Sequence, residues 1–271
     1  MIGYGNSMFL ATHGILARAA SGGGVDPDAQ AFITAAGITN PTQQGAINTL
    51  VVALKGYNIW TKFKAIYPIV GGSASSHKFN LKDPRDLDAA FRLTFATGWT
   101  HSATGMTPNG ATFANTSLIP NSVLSANSEH CSVYLRTNSS GIQCDIGTAN
   151  NTTQSNIFPN LSGTFYPRVQ ASNGGVAVNL NTAAFFIANR VASNEVQGWR
   201  NTTKYTISNN STGRSTFAYW LANLNLNGGS GSVPSTKQCA FASIGDGLTD
   251  TDAANFYTAV QAYQTTLSRQ V

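Results

Sequence analysis

The sequence predicts a mainly β fold: an antiparallel β-sandwich with a short helical pair before it and one helix at its C-terminal end. Three observations carry this reading. Between about residues 65 and 248, short apolar or alternating runs are broken by Gly, Asn, Pro and Ser, the rhythm of strands joined by polar turns. No helical pattern lies between those runs, whereas a parallel sheet needs a crossover helix between successive strands. At both ends, by contrast, apolar residues recur at helical spacing behind capping residues. With 271 residues the chain is long enough for one sandwich plus small appendages. The expected division is an N-terminal anchor and Gly-rich linker over 1–24, a helical pair over 25–64, the sandwich over 65–248, and a helix packing on it over 249–271.

Taken in order, Met1 to Leu16 is a short apolar segment, and Ser21-Gly22-Gly23-Gly24 behind it has the composition of a flexible linker. Met8, Phe9, Leu10, Ile15 and Leu16 are the candidate assembly anchor. Asp26 caps a first helix with Pro27 at its first position, and Gly37 supplies the stop. Asn40 caps a second, with Pro41 next and Gln43 placed to reach back in a capping box; Ile47, Leu50, Val51, Leu54 and Tyr57 form its apolar stripe. Strand candidates follow at 65–70, 90–96, 112–114, 132–137, 142–146, 166–170, 183–189, 196–200, 204–208, 218–224 and 239–244. Within Ser132-Val133-Tyr134-Leu135-Arg136 and Lys204-Tyr205-Thr206-Ile207-Ser208 the alternation is that of half-buried strands. Thr249 caps the last helix, with Asp252 at its third position. Phe256, Tyr257, Val260, Tyr263 and Leu267 are its stripe, and Arg269 sits where it complements the carbonyl end.

Charged residues make up only 10% of the chain, against roughly 25% in ordinary domains, so Asn, Thr, Ser and Gln keep the surface wet, as in 150–156 and 201–213. The net charge of +5 comes from scarce acids. Lys and Arg are scattered singly, without the basic stripe of a nucleic-acid binder, and no nucleic-acid partner is expected. Cys131, Cys144 and Cys239 are odd in number and lack paired short spacing, which predicts reduced thiols and folding in a cytosol. No run approaches the roughly 18 apolar residues of a membrane span, and no basic residue precedes the apolar start as in a secretory signal. Neither a membrane partner nor general export is expected.

Catalytic patterns are sparse. The two glutamates, Glu129 and Glu195, are far apart in sequence, and Asp145 reads as a hydrogen-bonded structural carboxylate, so the paired acids of glycoside hydrolysis are not evident. Gly-x-Ser-x-Gly does not occur. His13, His77, His101 and His130 are isolated and lack zinc spacing, and Asp83-Pro84-Arg85-Asp86-Leu87-Asp88 reads as an ion-paired turn rather than a calcium loop. The expectation is a protein that builds or binds rather than catalyses, with no cofactor and no metal. A flat indole face matches the C–H face of a sugar ring, which makes Trp60, Trp99, Trp199 and Trp220 the candidate glycan platforms. Trp199 leads, because Gly198-Trp199-Arg200-Asn201 runs from a strand into a polar turn; Trp199, Arg200 and Asn201 are the named glycan contacts.

Residues 39–50 (Thr39-Asn40-Pro41-Thr42-Gln43-Gln44 onward), Ile59-Trp60-Thr61-Lys62-Phe63 to Pro68, and His77-Lys78-Phe79-Asn80-Leu81 to Asp86 resemble virion proteins of tailed bacteriophages. Ser243-Ile244-Gly245-Asp246-Gly247-Leu248-Thr249 with the helix after it resembles the end of the same module. The likeness spans about residues 25 to 271. Its middle, from Asn189-Arg190 to Trp199-Arg200-Asn201, resembles laminin-G or concanavalin-A-like jelly rolls at the level of fold. The resemblance implies a tail fibre, head fibre, spike or capsid decoration, a homotrimer in many cases, that meets other virion proteins through its N-terminal segment and a host glycan through its sandwich. It implies a place in the virion, after synthesis in the bacterial host cytoplasm. The family's calcium ligands cannot be placed on these residues. A glycan-binding module for host-surface or mucus attachment is the alternative, and a polysaccharide hydrolase the third.

Overall fold

The structure, a computed structural model, describes residues 24–271. The anchor residues Met8, Phe9, Leu10, Ile15 and Leu16, and His13, lie outside the described residues.

Two helices come first, α1 (Pro27–Ala35) and α2 (Pro41–Gly56). Asp26 accepts the Asp28 N–H as the first cap, and Asn40 accepts from Thr42 and Gln43 as the second. At α2 the side chain that reaches back is that of Gln44, to the Ile38 carbonyl at 2.8 Å, rather than that of Gln43. Tyr57 is the residue after the helix and is exposed, so the apolar stripe ends at Leu54. Then come β1 (Phe63–Tyr67), α3 (Ala74–His77), β2 (Thr94–Phe95), β3 (Trp99–Ser102), β4 (Gly105–Pro108), β5 (Ala114–Asn115) and α4 (Pro120–Val123). The central strands are β6 (Glu129–Leu135), β7 (Ile146–Ala149), β8 (Gln154–Leu161), β9 (Thr164–Ala171), β10 (Val176–Ala177), β11 (Ala184–Ala192), β12 (Glu195–Arg200) and β13 (Thr203–Ser208). The chain closes with β14 (Trp220–Leu221), β15 (Asn225–Leu226), β16 (Gly229–Ser230), β17 (Cys239–Gly245) and α5 (Asp250–Thr266), the last opened by a reciprocal box between Thr249 and Asp252.

The strands form two sheets stacked as a sandwich. The first runs β13-β12-β11-β6-β17-β4-β3, with β1 also paired to β17; the second runs β10-β9-β8-β7-β14-β5-β2, with β15 and β16 attached. Pairing is antiparallel except between β15 and β7. Register sets the faces, because side chains alternate along a strand. Cys131, Val133 and Leu135 on β6 stand opposite Ala188, Phe186 and Ala184 on β11, and all six point toward the second sheet, where they meet Ile146, Ile157, Phe165 and Val169.

The alternate residues face the other way and are equally buried. Tyr134, Phe185, Ile187 and Phe241 pack under the helices, against Leu50, Val51, Phe256, Val260 and Tyr263. Phe256 on α5 lies 4.8 Å from Phe63 and 5.2 Å from Phe185, ring to ring. The first sheet is therefore covered on both sides, which is why β6 and β17 are buried at every position. Gly198 lets the sheets approach: a Cβ there would lie 2.4 Å from Pro167 Cγ.

Two arginines hold the ends of this core. Arg269 is fully buried and does more than complement a helix end: it donates to the Ile69 carbonyl at 2.7 Å, the Ala240 carbonyl at 3.1 Å and Gln264 Oε1 at 2.9 Å. Arg190, also fully buried, donates to the carbonyls of Val169, Ala192, Ser193 and Asn209.

Candidate functional site

The four tryptophans separate by which face of the fold they occupy. Trp199, the leading sequence candidate, is 5% exposed and belongs to the core under the helices. The reason is register: on β12 the residue after Gly198, which faces the second sheet, must face the helical layer. Lys204 Nζ lies 5.5 Å from its ring centroid and pairs with Asp250 of α5. Arg200 and Asn201 are half-buried, and both side chains bond to the chain entering β11. Arg200 Nε donates to the Asn181 carbonyl, and Asn201 Oδ1 accepts the Phe185 N–H at 2.9 Å with its own backbone at φ 53°. Of the glycan contact expected at Trp199, Arg200 and Asn201, Trp199 therefore offers no open indole face. Trp220, 7% exposed, is stacked on Phe113 at 3.7 Å.

Trp60 and Trp99 remain half-exposed. Trp60 sits in a single turn of 3-10 helix between α2 and β1. Asn58 takes the left-handed conformation (φ 58°) that turns the chain, and buried Ile59 and Phe63 pin the turn on either side. The indole then lines an open pocket of about 300 Å³ with Lys55, Asn58 and Thr61. Lys82 Nζ is 3.7 Å from the ring centroid and donates to the Trp60 carbonyl at 3.0 Å. Burial draws the Lys82 ammonium down to about 8. Lys55 is held by Asp26 at 2.7 Å and Asp28 at 2.6 Å.

A second hollow, about 350 Å³, opens between α3 and β2, lined by Ser75, Lys78, Arg92, Thr94 and Phe95. Behind it His77 and His101 approach at 2.9 Å, Nδ1 to Nδ1. Because the Gly72 N–H donates to His77 Nε2, His77 carries its proton on Nδ1 and donates to His101. Both rings are neutral in this arrangement. Burial holds His77 down to about 3, with His101 adding to it, and lowers His101 as well.

The carboxylates are engaged within the structure. All nine aspartates are ion-paired. Asp145 is the buried case, 3.0 Å from Lys237 Nζ and 2.6 Å from Ser235 Oγ. The Asp83–Asp88 cluster is an ion-paired turn with Lys78, Arg85 and Arg92. Glu129 is fully buried and accepts from Tyr219 Oη at 2.5 Å and Gln170 Nε2 at 2.9 Å; burial raises its pKa. Glu195 accepts from Gln197 on the same strand. The three thiols are buried and unpaired. Among the described residues, no group of three or more His, Cys, Asp or Glu is arranged to hold a metal ion, and no helix is long and apolar enough to cross a membrane.

No protein-family model matches the chain, and no curated protein does. Among solved structures it is similar to domain 4 of AbnA, a GH43 extracellular arabinanase from Geobacillus stearothermophilus, in complex with arabinotriose. The identity is 12% over 72% of this chain and 98% of that one, with a TM-score of 0.41. It is also similar to a chain of HCR/D-Sa-GBL1/C, at 11% identity over 55% of this chain and 40% of that one, with a TM-score of 0.32.

Proposed function

We propose that the chain is a non-catalytic β-sandwich module that binds glycans through the Trp60 pocket. The half-exposed indole of Trp60, with Asn58, Thr61 and Lys55 around it, carries this reading. An aromatic face takes up the C–H face of a sugar, while amide, hydroxyl and ammonium groups beside it supply the few directional bonds that orient a ligand. A volume of about 300 Å³ suits one or two sugar rings. The engagement of every aspartate in an ion pair, and of Glu129 in the core, supports binding over hydrolysis, which needs two carboxyl groups facing the substrate. Glycan-array screening of the full chain tests it. Binding should appear and fall at least tenfold in Trp60→Ala; a fully folded chain that binds nothing, or binds equally without the indole, refutes it.

A second reading places this module on a bacteriophage particle, as a fibre, spike or capsid decoration, with Met8, Phe9, Leu10, Ile15 and Leu16 gripping other virion proteins. What favours it is the polar surface with few charges: two cations of the basic excess are drawn inward, since Arg190 and Arg269 are fully buried on backbone carbonyls. Deleting residues 1–20 should leave the sandwich folded and abolish incorporation into particles, and light scattering of the full chain should show a trimer. Unchanged incorporation removes the anchor, and a clean monomer counts against the assembly.

A further inference from the structure

The cations of this chain have a pattern with one exception. Seven lysines and arginines among the described residues take part in no ion pair. Six of them, Lys82, Arg136, Arg190, Arg200, Arg214 and Arg269, donate to backbone carbonyls instead. The seventh is Arg168 on β9. Its contact is a single long hydrogen bond, Nη1 to Gln154 Oε1 at 3.3 Å.

Arg168 lies on the face of the second sheet that points away from the first. Its neighbours there, Phe158 and Tyr166, form a small apolar cluster separate from the inter-sheet core, to which Phe165 and Val169 on the same strand belong. The guanidinium is 4.3 Å from the Tyr166 ring centroid and 5.9 Å from that of Phe158. Across the strands it stands opposite Asn156, a fully buried residue whose Oδ1 has no hydrogen-bond partner, and Arg168 Nε has none either. Half-burial of the cation lowers its pKa, and the electrostatic partners that oppose the shift are Tyr166 and Cys144, not a carboxylate. A planar guanidinium laid on aromatic rings, half-dehydrated and left without an anion, is preorganised to receive one, because its fork matches the two oxygens of a carboxylate.

We infer that the outer face of the second sheet binds a carboxylate-bearing sugar, with the Arg168 fork taking the carboxylate and the Gln154 amide beside it taking a ring hydroxyl. The occupant is an acidic saccharide rather than a bare anion, since the groups flanking the cation are an aromatic ring and amides rather than further positive charge. This site is separate from the Trp60 pocket and does not depend on it.

Calorimetric titration of the full chain with glucuronate, glucose and acetate tests the inference. Glucuronate should bind at least tenfold more tightly than either glucose or acetate, and more weakly as salt rises. Arg168→Gln should abolish the glucuronate response, with folding checked by circular dichroism. Arg168→Lys, which keeps the charge and loses the fork, should weaken it at least fivefold, so a failure of the glutamine variant to fold leaves the test intact. Equal binding of glucose, equal binding of acetate, or an unchanged response in the Arg168 variants overturns the inference. Trp60→Ala should leave the glucuronate response in place, so this site and the pocket reading fail separately.

Discussion

Replacing Lys237 with Met isolates the most deeply buried ion pair in the fold. Lys237 Nζ and Asp145 Oδ2 are 3.0 Å apart with both side chains 2% exposed. Ser235 Oγ donates to the other carboxylate oxygen, and Gln143 Oε1 accepts from the ammonium at 3.0 Å. Water therefore screens neither charge. Methionine matches the stem in length, so little cavity forms, and what remains is a buried carboxylate stripped of its cation. Removing one partner of such a pair costs about 3–5 kcal/mol. A chain of this size loses roughly 2–4 °C of Tm per kcal/mol, so the midpoint should fall by roughly 6 to 20 °C. Adding Asp145→Asn should recover much of this, because the stranded charge is gone. Urea unfolding of the wild type, the two single variants and the double closes the cycle. If Lys237→Met unfolds within about 1 kcal/mol of wild type, or the two substitutions simply add, the argument from stranded charge is wrong.

Two further outcomes follow from the packing. Burial depresses the folded-state pKa of His130 to about 4 and, with a contribution from His101, that of His77 to about 3. The unfolded chain therefore takes up these protons first: the stability they contribute is whole above the ordinary value near 6.5 and is lost as pH falls from there through about 4 and about 3. Glu129, raised by burial, has the opposite sign and favours the folded state on the acid side. The expected result is a urea midpoint that drops between pH 7 and 5 in the Glu129→Gln background, less steeply once His130→Gln is added; a flat profile contradicts the burial of neutral imidazoles. Gly198→Ala should cost about 1–3 kcal/mol by forcing Pro167 and Phe165 away, whereas Gly45→Ala, exposed within α2 with open space around its Cβ, should gain about 0.5–1 kcal/mol. Thermal unfolding of both decides it, and equal signs would refute the close approach of the sheets.

Sequence patterns located many elements and misplaced others for local reasons. The runs at 90–96 and 218–224 contain only the two-residue strands β2 and β14, since their apolar residues serve loop packing rather than a ladder. The β3–β4 hairpin and the whole of β8 escaped notice: β3 and β4 are four residues each, with Trp99 and Met106 as their large apolar residues, and half of β8 is polar. In β8, Gln154 and Asn156 lie on the outer face of the second sheet and bond to each other. Local pattern put Trp199 ahead of Trp60 as a platform, because a strand running into a polar turn says nothing of the layer that covers it, and Arg168 gave no signal, because nothing local marks a cation as lacking an anion.

By itself the sequence determined what depends on neighbours a few positions away. Asp26 before Pro27, Asn40 before Pro41 and Thr249 with Asp252 set the helix starts through contacts two or three residues long, and alternation set which residues share a face in β6 and β13. Only the tertiary structure decided which faces water reaches. Docking α2 and α5 on the first sheet buried Trp199 and left the outer face of the second sheet to Tyr166 and Arg168. Period two assigns a side chain to one side of a strand, but long-range packing decides what covers that side.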